Sequence, residues 1–271
     1  MTAGNLEDNF ADIAGKAMHG KKLAAADLAS AAGLRPAAVE RVLRGQFDES
    51  ALRAIAPVLG LQPDALVRIG RGTYRPVVDC PPNLAQVTTP CGGMEVNAYL
   101  LWDREEKTAA IFDTGAQADP LLDLIKLEQL DVAAIFLTHS HADHTAALED
   151  LQKALGVEAW SSQHEHVPGT RSFRPGDVFN AGRNFIRSRH TPGHSPGGAT
   201  YVIEGPVLRA AIVGDALFAG SIGGVRGDYA ATLDNIRREI LSLHDDTILC
   251  PGHGPLTTVA QEKANNPFFA G

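Results

Sequence analysis

The sequence predicts an α+β chain: a small all-α region, then a larger domain of two β-sheets packed together with helices outside. Three observations lead there. Up to Tyr74 the chain is rich in Ala and Leu, with apolar residues at helical spacing. From Asn83 onward short β-rich runs alternate with helical stretches, a meander and then a helix, twice over. Between the two, Arg75-Pro-Val-Val-Asp-Cys-Pro-Pro82 is proline-rich and extended in character, as a linker is. The expected division is therefore 1–74, 75–82 and 83–271.

In the first region the periodicity predicts helices over 5–18, 24–32, 36–43, 49–59 and 63–68. Gly33, Gly45 and Gly60 follow three of them, where a left-handed residue closes a helix. Pro36 and Pro63 open two, where a missing N–H costs nothing. The stretch from Asp27 to Gly45 resembles the helix-turn-helix of Cro and lambda-repressor type DNA-binding domains, through Leu28, Ala29, Ala32, Gly33, Val39, Val42 and Leu43. These are packing positions, so they speak for shape more than for DNA. Through Arg75 there are ten Lys and Arg against eight Asp and Glu, a net of only +2. Phosphate neutralisation normally needs several cations. Packing, dimerisation or a lid is the expected role, and DNA binding is the alternative.

In the second region the expected strands are 85–89, 95–102, 109–113, 133–137, 158–160, 184–188, 199–203, 208–213 and 247–249. The expected helices are 120–130, 142–155, 230–243 and 255–263. No repeats or low-complexity tracts stand out.

Thr138-His-Ser-His-Ala-Asp-His144 follows an apolar run and leads into one of those helices. Three imidazoles and a carboxylate within six residues exceed what a packed core needs, and this donor mix suits a borderline metal such as zinc. His194, Asp215 and His253 lie downstream at strand-to-loop junctions, with Gly or Pro beside each. After the His-rich motif they complete a set of seven candidate ligands: His139, His141, Asp143, His144, His194, Asp215 and His253.

A net charge of −8 and a pI near 5.7 argue against a chain-wide surface for nucleic acid or anionic membrane. Three cysteines without a Cys-x-x-Cys spacing suit a reduced interior, with Cys80, Cys91 and Cys250 as small apolar fillers. No basic and apolar leader opens the chain, and no apolar run is long enough to span a bilayer. The expectation is a soluble, cytoplasmic protein with no membrane partner and a small-molecule substrate, with a homodimer through the helical region as a further use of that region.

Thr138–His144 together with Asp113-Thr-Gly115, Thr191-Pro-Gly-His194, Gly214-Asp215 and Pro251-Gly-His-Gly254 resembles the metallo-β-lactamase superfamily from Asn83 to the C-terminus. That implies an αβ/βα sandwich with metals at one edge of the sheets. Leu217-Phe-Ala-Gly-Ser-Ile-Gly223 and the segment from Pro251 to Phe269 are similar to short, glyoxalase II-like hydrolases. Longer glyoxalase II enzymes carry a C-terminal helical region that helps hold glutathione, which this sequence lacks. Where the group usually continues Arg-Thr-Asp, this chain reads Gly223-Gly-Val-Arg-Gly-Asp228, which leaves substrate choice open.

The resemblance implies His139, His141 and His194 on one metal, Asp143, His144 and His253 on another, and Asp215 between them. Two divalent ions are implied, zinc foremost, with iron and manganese compatible with a cysteine-free set. The implied reaction is attack of a metal-bridging hydroxide on an acyl carbonyl, most naturally a thioester, with Asp143 and Asp215 closest to the chemistry. Asp113 and Thr191 are candidates to fix imidazole tautomers, Asp113 equally a turn cap. Alternatives are a mononuclear-iron persulfide dioxygenase on His139, His194 and Asp215, a lactonase, or a metabolite-sensing DNA-binding regulator. β-Lactam hydrolysis fits poorly with a protein lacking an export signal. A solvated loop is the simpler reading of His164 and His166, with the substrate mouth as alternative. His190 reads as structural, His19 and His244 as surface residues, and Arg226 as surface charge or a partner for a substrate carboxylate.

Overall fold

The computed structural model describes residues 5–206 and 208–271. Five helices open the chain: α1 (Phe10–Gly20), α2 (Ala25–Ala31), α3 (Pro36–Leu43), α4 (Glu49–Leu59) and α5 (Pro63–Gly70). The first starts later than periodicity suggests because Asn9 caps it. The Asn9 side chain accepts from the N–H groups of Ala11 and Asp12, and the Asp12 carboxylate accepts from the Asn9 N–H. Gly33, Gly45 and Gly60 take φ of 66°, 80° and 70° after their helices, the left-handed closure expected of them.

Next come β1 (Leu84–Cys91), β2 (Met94–Trp102), β3 (Thr108–Phe112), α6 (Asp119–Glu128), β4 (Asp131–Phe136), α7 (Ala142–Thr145), α8 (Leu148–Leu155), β5 (Ala159–Ser162) and β6 (Arg171–Phe173). The second half contains β7 (Val178–Ala181), β8 (Asn184–His190), β9 (Ala199–Glu204), β10 (Arg209–Gly214), α9 (Tyr229–Glu239), β11 (Ile248–Pro251), β12 (Thr257–Thr258) and α10 (Val259–Asn265). Strands β1 to β6 form one six-stranded sheet in chain order, and β7 to β12 form the other. Each is mixed. The first is antiparallel through β3 and parallel beyond it. In the second only β10 and β11 run parallel.

Alternation along β2 buries both of its faces. On β2, Tyr99 and Leu101 point between the sheets, where they meet Phe112, Phe136, Ile186, Tyr201 and Ile212. Ala98, Leu100 and Trp102 point outward to Leu121 and Ile125 of α6 and Leu148 and Leu151 of α8. The outer face of the second sheet, through Ala211, Val213 and Leu249, meets Ile236 of α9 and Val259 of α10. The same apolar cluster continues without a break into Leu28, Val39, Leu52, Ile55, Leu59 and Leu66 of the N-terminal helices. Those helices thus take part in covering the second sheet.

Several expectations need correction. The single helix expected over 142–155 is two helices. Thr114, in the loop after β3, donates its N–H and hydroxyl to the His144 carbonyl, and its hydroxyl oxygen accepts from the Ala147 N–H. Those backbone groups leave the helical ladder. The last helix begins at Val259, since Thr257 and Thr258 first pair with Leu249 and Ile248. Strands β6, β7 and β12, of three, four and two residues, escape the sequence because alternation does not register over so few positions. Cys250 is a buried filler, but Cys80 is exposed and Cys91 only partly covered. Among the described residues no helix is long and apolar enough to cross a membrane.

Candidate metal centre

Each sheet contains a parallel pair, β3 with β4 and β10 with β11, joined by a crossover helix, α6 or α9. Residues just past the carboxyl ends of these four strands are Asp113, Thr138-His139, Asp215 and His253. Parallel neighbours place their carboxyl ends side by side, so both halves deliver polar residues to the same edge.

The seven expected ligands converge there in two groups. His139, His141, His194 and Asp215 offer donor atoms that all lie within 4.8 Å of one another, and so do Asp143, His144 and His253. In the first group His139 Nε2 and His194 Nε2 each stand 2.9 Å from His141 Nδ1. In the second, Asp143 Oδ2 is 3.3 Å from His253 Nε2 and 3.6 Å from His144 Nε2. Asp215 touches both groups. Its Oδ2 is 3.3 Å from His194 Nε2 and 3.5 Å from His253 Nε2, and its Oδ1 is 3.3 Å from His144 Nε2. Gly252 permits this approach, because a Cβ there would stand 2.2 Å from Asp215 Oδ1.

Hydrogen bonds on the far side of each ring set the tautomers. His194 Nδ1 donates to the Gly224 carbonyl at 3.0 Å, and His253 Nδ1 to the Glu95 carbonyl at 2.6 Å. His144 Nδ1 donates to Asp113 Oδ2 at 2.8 Å. The Thr138 hydroxyl gives its one proton to Asp113, so at 3.0 Å it can only accept from His139 Nδ1. Four imidazoles therefore turn Nε2, the nitrogen left to bind a metal or a proton, toward the same space. The 2.9 Å approaches to His141 Nδ1 need a proton or a metal ion between the nitrogens, because two facing lone pairs repel. His144 Nε2 and Asp215 Oδ1, 3.3 Å apart, are buried and make no well-directed hydrogen bond among the described residues. Nitrogen and oxygen donors without thiolate, grouped around one shared carboxylate, fit a pair of divalent ions.

The electrostatics agree. Burial pushes the His139 imidazole well below its ordinary range and lowers that of His194. Burial also opposes charge on His144, but Asp113 and Asp215 override it and push the imidazole up to about 10. His253 rises to about 11 against the same desolvation, through Asp143 and Asp215. Asp143 is held at about 2, chiefly by its hydrogen bond with His253. The buried carboxylates call for positive charge, which metal ions or imidazole protons can provide.

The remaining candidates separate clearly. Asp113, buried beneath the site, orients His144 directly and His139 through Thr138. The Thr191 hydroxyl hydrogen-bonds no imidazole among the described residues. It pairs with that of Thr200 at 3.0 Å, so it shapes the turn before His194 instead. His164 and His166 are exposed; the His164 ring stacks on His190 at 4.4 Å, and His190 Nε2 donates to the Pro196 carbonyl. His19, His244 and Arg226 are exposed.

Sequence reasoning missed Glu165, between two histidines it weighed. Its carboxylate accepts from the N–H and hydroxyl of Ser140, the hydroxyl of Ser195 and the N–H of Gly197. It thereby ties the loop of His139 and His141 to the loop of His194. No local pattern marks a residue whose partners lie 25 to 32 positions away.

Comparison with known proteins places this arrangement. Residues 91–253 match the model of the metallo-beta-lactamase superfamily. Hydroxyacylglutathione hydrolase GloC of Haemophilus influenzae is 36% identical over 206 residues, covering 66% of this chain and 95% of the relative. Among solved structures, BLEG-1 B3 metallo-beta-lactamase is similar with a TM-score of 0.61 at 32% identity, over 69% of this chain and 100% of that one. TTHA1623 in a di-iron-bound form is similar with a TM-score of 0.54 at 29% identity, over 68% of this chain and 100% of that one.

Proposed function

This chain belongs to the metallo-β-lactamase superfamily, and we propose that it is a metal-dependent hydrolase whose substrate is a thioester. The observation that carries the proposal is the pair of donor groups meeting at Asp215, with imidazole Nε2 atoms turned inward on both sides. The likeness to a hydroxyacylglutathione hydrolase supports the thioester. Bound there, two divalent ions supply an acidified water and a polarised carbonyl. Zinc is our first choice for a hydrolytic centre, and iron is the second, given the di-iron relative.

The chain's own residues do the rest. Asp215 spaces the two groups by facing both. Asp143, held ionised and partly open to solvent, accepts a hydrogen bond from the attacking water and orients it. The Gly224 and Glu95 carbonyls and Asp113 keep the imidazoles from rotating. A thiolate leaves without a strong general acid, which suits a site whose buried carboxylates stay ionised. A mononuclear dioxygenase centre on His139, His194 and Asp215 would give the second group no role.

The test is elemental analysis of the purified protein with a panel of S-lactoylglutathione, a lactone and glutathione persulfide. Two metal ions per chain and thioester turnover are expected. One iron per chain with oxygen uptake on the persulfide would overturn the reading.

A further inference from the structure

The residues ahead of α1 sit at the metal centre. The Glu7 backbone N and Cβ lie 3.2 Å and 3.4 Å from where a side chain on Gly254 would begin, one residue from His253. Gly254, at φ 74°, admits that contact. Asp8 accepts from the Ser221 hydroxyl and from Lys16 Nζ, and Lys16 Nζ also donates to the Ile222 carbonyl at 2.8 Å. The same ammonium lies 5.0 Å above the Phe218 ring, which meets the His253 ring edge-on at 5.7 Å. The segment thus grips both loops that follow the second sheet's ligands, 217–223 after Asp215 and 251–254 around His253.

Asp8 is matched by Lys16, and among the described residues Glu7 has no ion-pair partner within 4 Å. Partial burial raises the Glu7 carboxyl, and both His253 and Asp215 act on it electrostatically.

We propose that Glu7 is a specificity-determining residue of this centre. The N-terminal segment is a fixed wall of the substrate site, and the Glu7 carboxylate favours ligands bearing an ammonium group near the metal-directed sulfur over ligands bearing a carboxylate there. This rests on reading the metal centre as the substrate site, but it does not require that the substrate be a thioester.

The experiment measures binding of two thiols of equal length, an aminothiol and a mercaptocarboxylate, to the metal-loaded full chain by calorimetry. The wild type is expected to favour the aminothiol by about threefold to tenfold, as one charge across a half-solvated gap would give. Glu7→Gln should bring the ratio near unity, Glu7→Lys should invert it, and raising salt should shrink it in the wild type. Metal content and melting temperature should stay unchanged. A wild-type ratio at or below unity, or one unmoved by salt and by both variants, overturns the proposal. Parallel hydrolysis assays separate the two readings: a charge-dependent ratio without thioester turnover sinks only the thioester, and turnover with a flat ratio sinks only the role of Glu7.

Discussion

Asp113 shows how much one side chain can decide. It is 1% exposed and sits at φ 54°, a left-handed conformation uncommon outside glycine but tolerated by Asp. One carboxylate oxygen accepts the Thr138 N–H, and the other accepts both the Thr138 hydroxyl and His144 Nδ1. Asp113→Asn keeps the size but places an amide donor where an acceptor is needed. His144 would then lose the bond that holds its Nδ1 proton and turns its Nε2 toward the site. Affinity for the second metal should fall about 10- to 100-fold, measured by competition with a chelator, while a buffered wild-type affinity would show that Asp113 only caps a turn. The seven ligand candidates were legible because His and Asp after apolar runs are conspicuous. Which ring nitrogen faces inward was not, since partners such as the Glu95 and Gly224 carbonyls are backbone groups that any residue could supply.

At the level of elements, the site is a set of loops held in register. Glu165 binds two of them together, and its carboxyl is drawn from an ordinary 4.5 to about 2: burial opposes this, but Ser140, Ser195 and Gly197 outweigh it. A depressed carboxyl stabilises the fold above its unfolded pKa and loses that contribution as pH falls toward its folded pKa. In metal-free protein the difference in melting temperature between wild type and Glu165→Gln should be largest near neutrality. It should shrink between pH of about 4.5 and about 2. A difference that stays constant across that range would show that the charge on Glu165 contributes nothing. Helix and strand types read well from periodicity, but the break between α7 and α8 did not, because Thr114 imposes it from 30 residues away.

At the scale of the molecule, the N-terminal helices and the sandwich share one apolar cluster. A buried hub reinforces the joint: Glu262, 0% exposed, accepts from the Tyr74 hydroxyl, the Thr257 hydroxyl and the Asn266 amide at 2.8 Å each and from the Gly220 N–H at 2.9 Å. The two tryptophans, Trp102 on β2 and Trp160 on β5, both report on the sandwich. Ile55→Ala in α4 should cost about 2–5 kcal/mol as a buried cavity. It should also lower the unfolding midpoint seen by tryptophan fluorescence as much as that seen by circular dichroism. An unmoved fluorescence midpoint would mean that the helices fold apart from the sandwich.

The sequence by itself determined the chemistry available to this protein: which donors it has, their order, and the strand-to-loop junctions that present them. Those are properties of residue type and short-range periodicity, and a chain carries them whether folded or not. Only the tertiary structure decided which ring nitrogens face the site, that Glu165 ties two loops together, and that Glu7 packs against Gly254. Each of these is a contact between segments distant along the chain, and it exists only after the sheets, their crossover helices and the N-terminal helices have closed on one another.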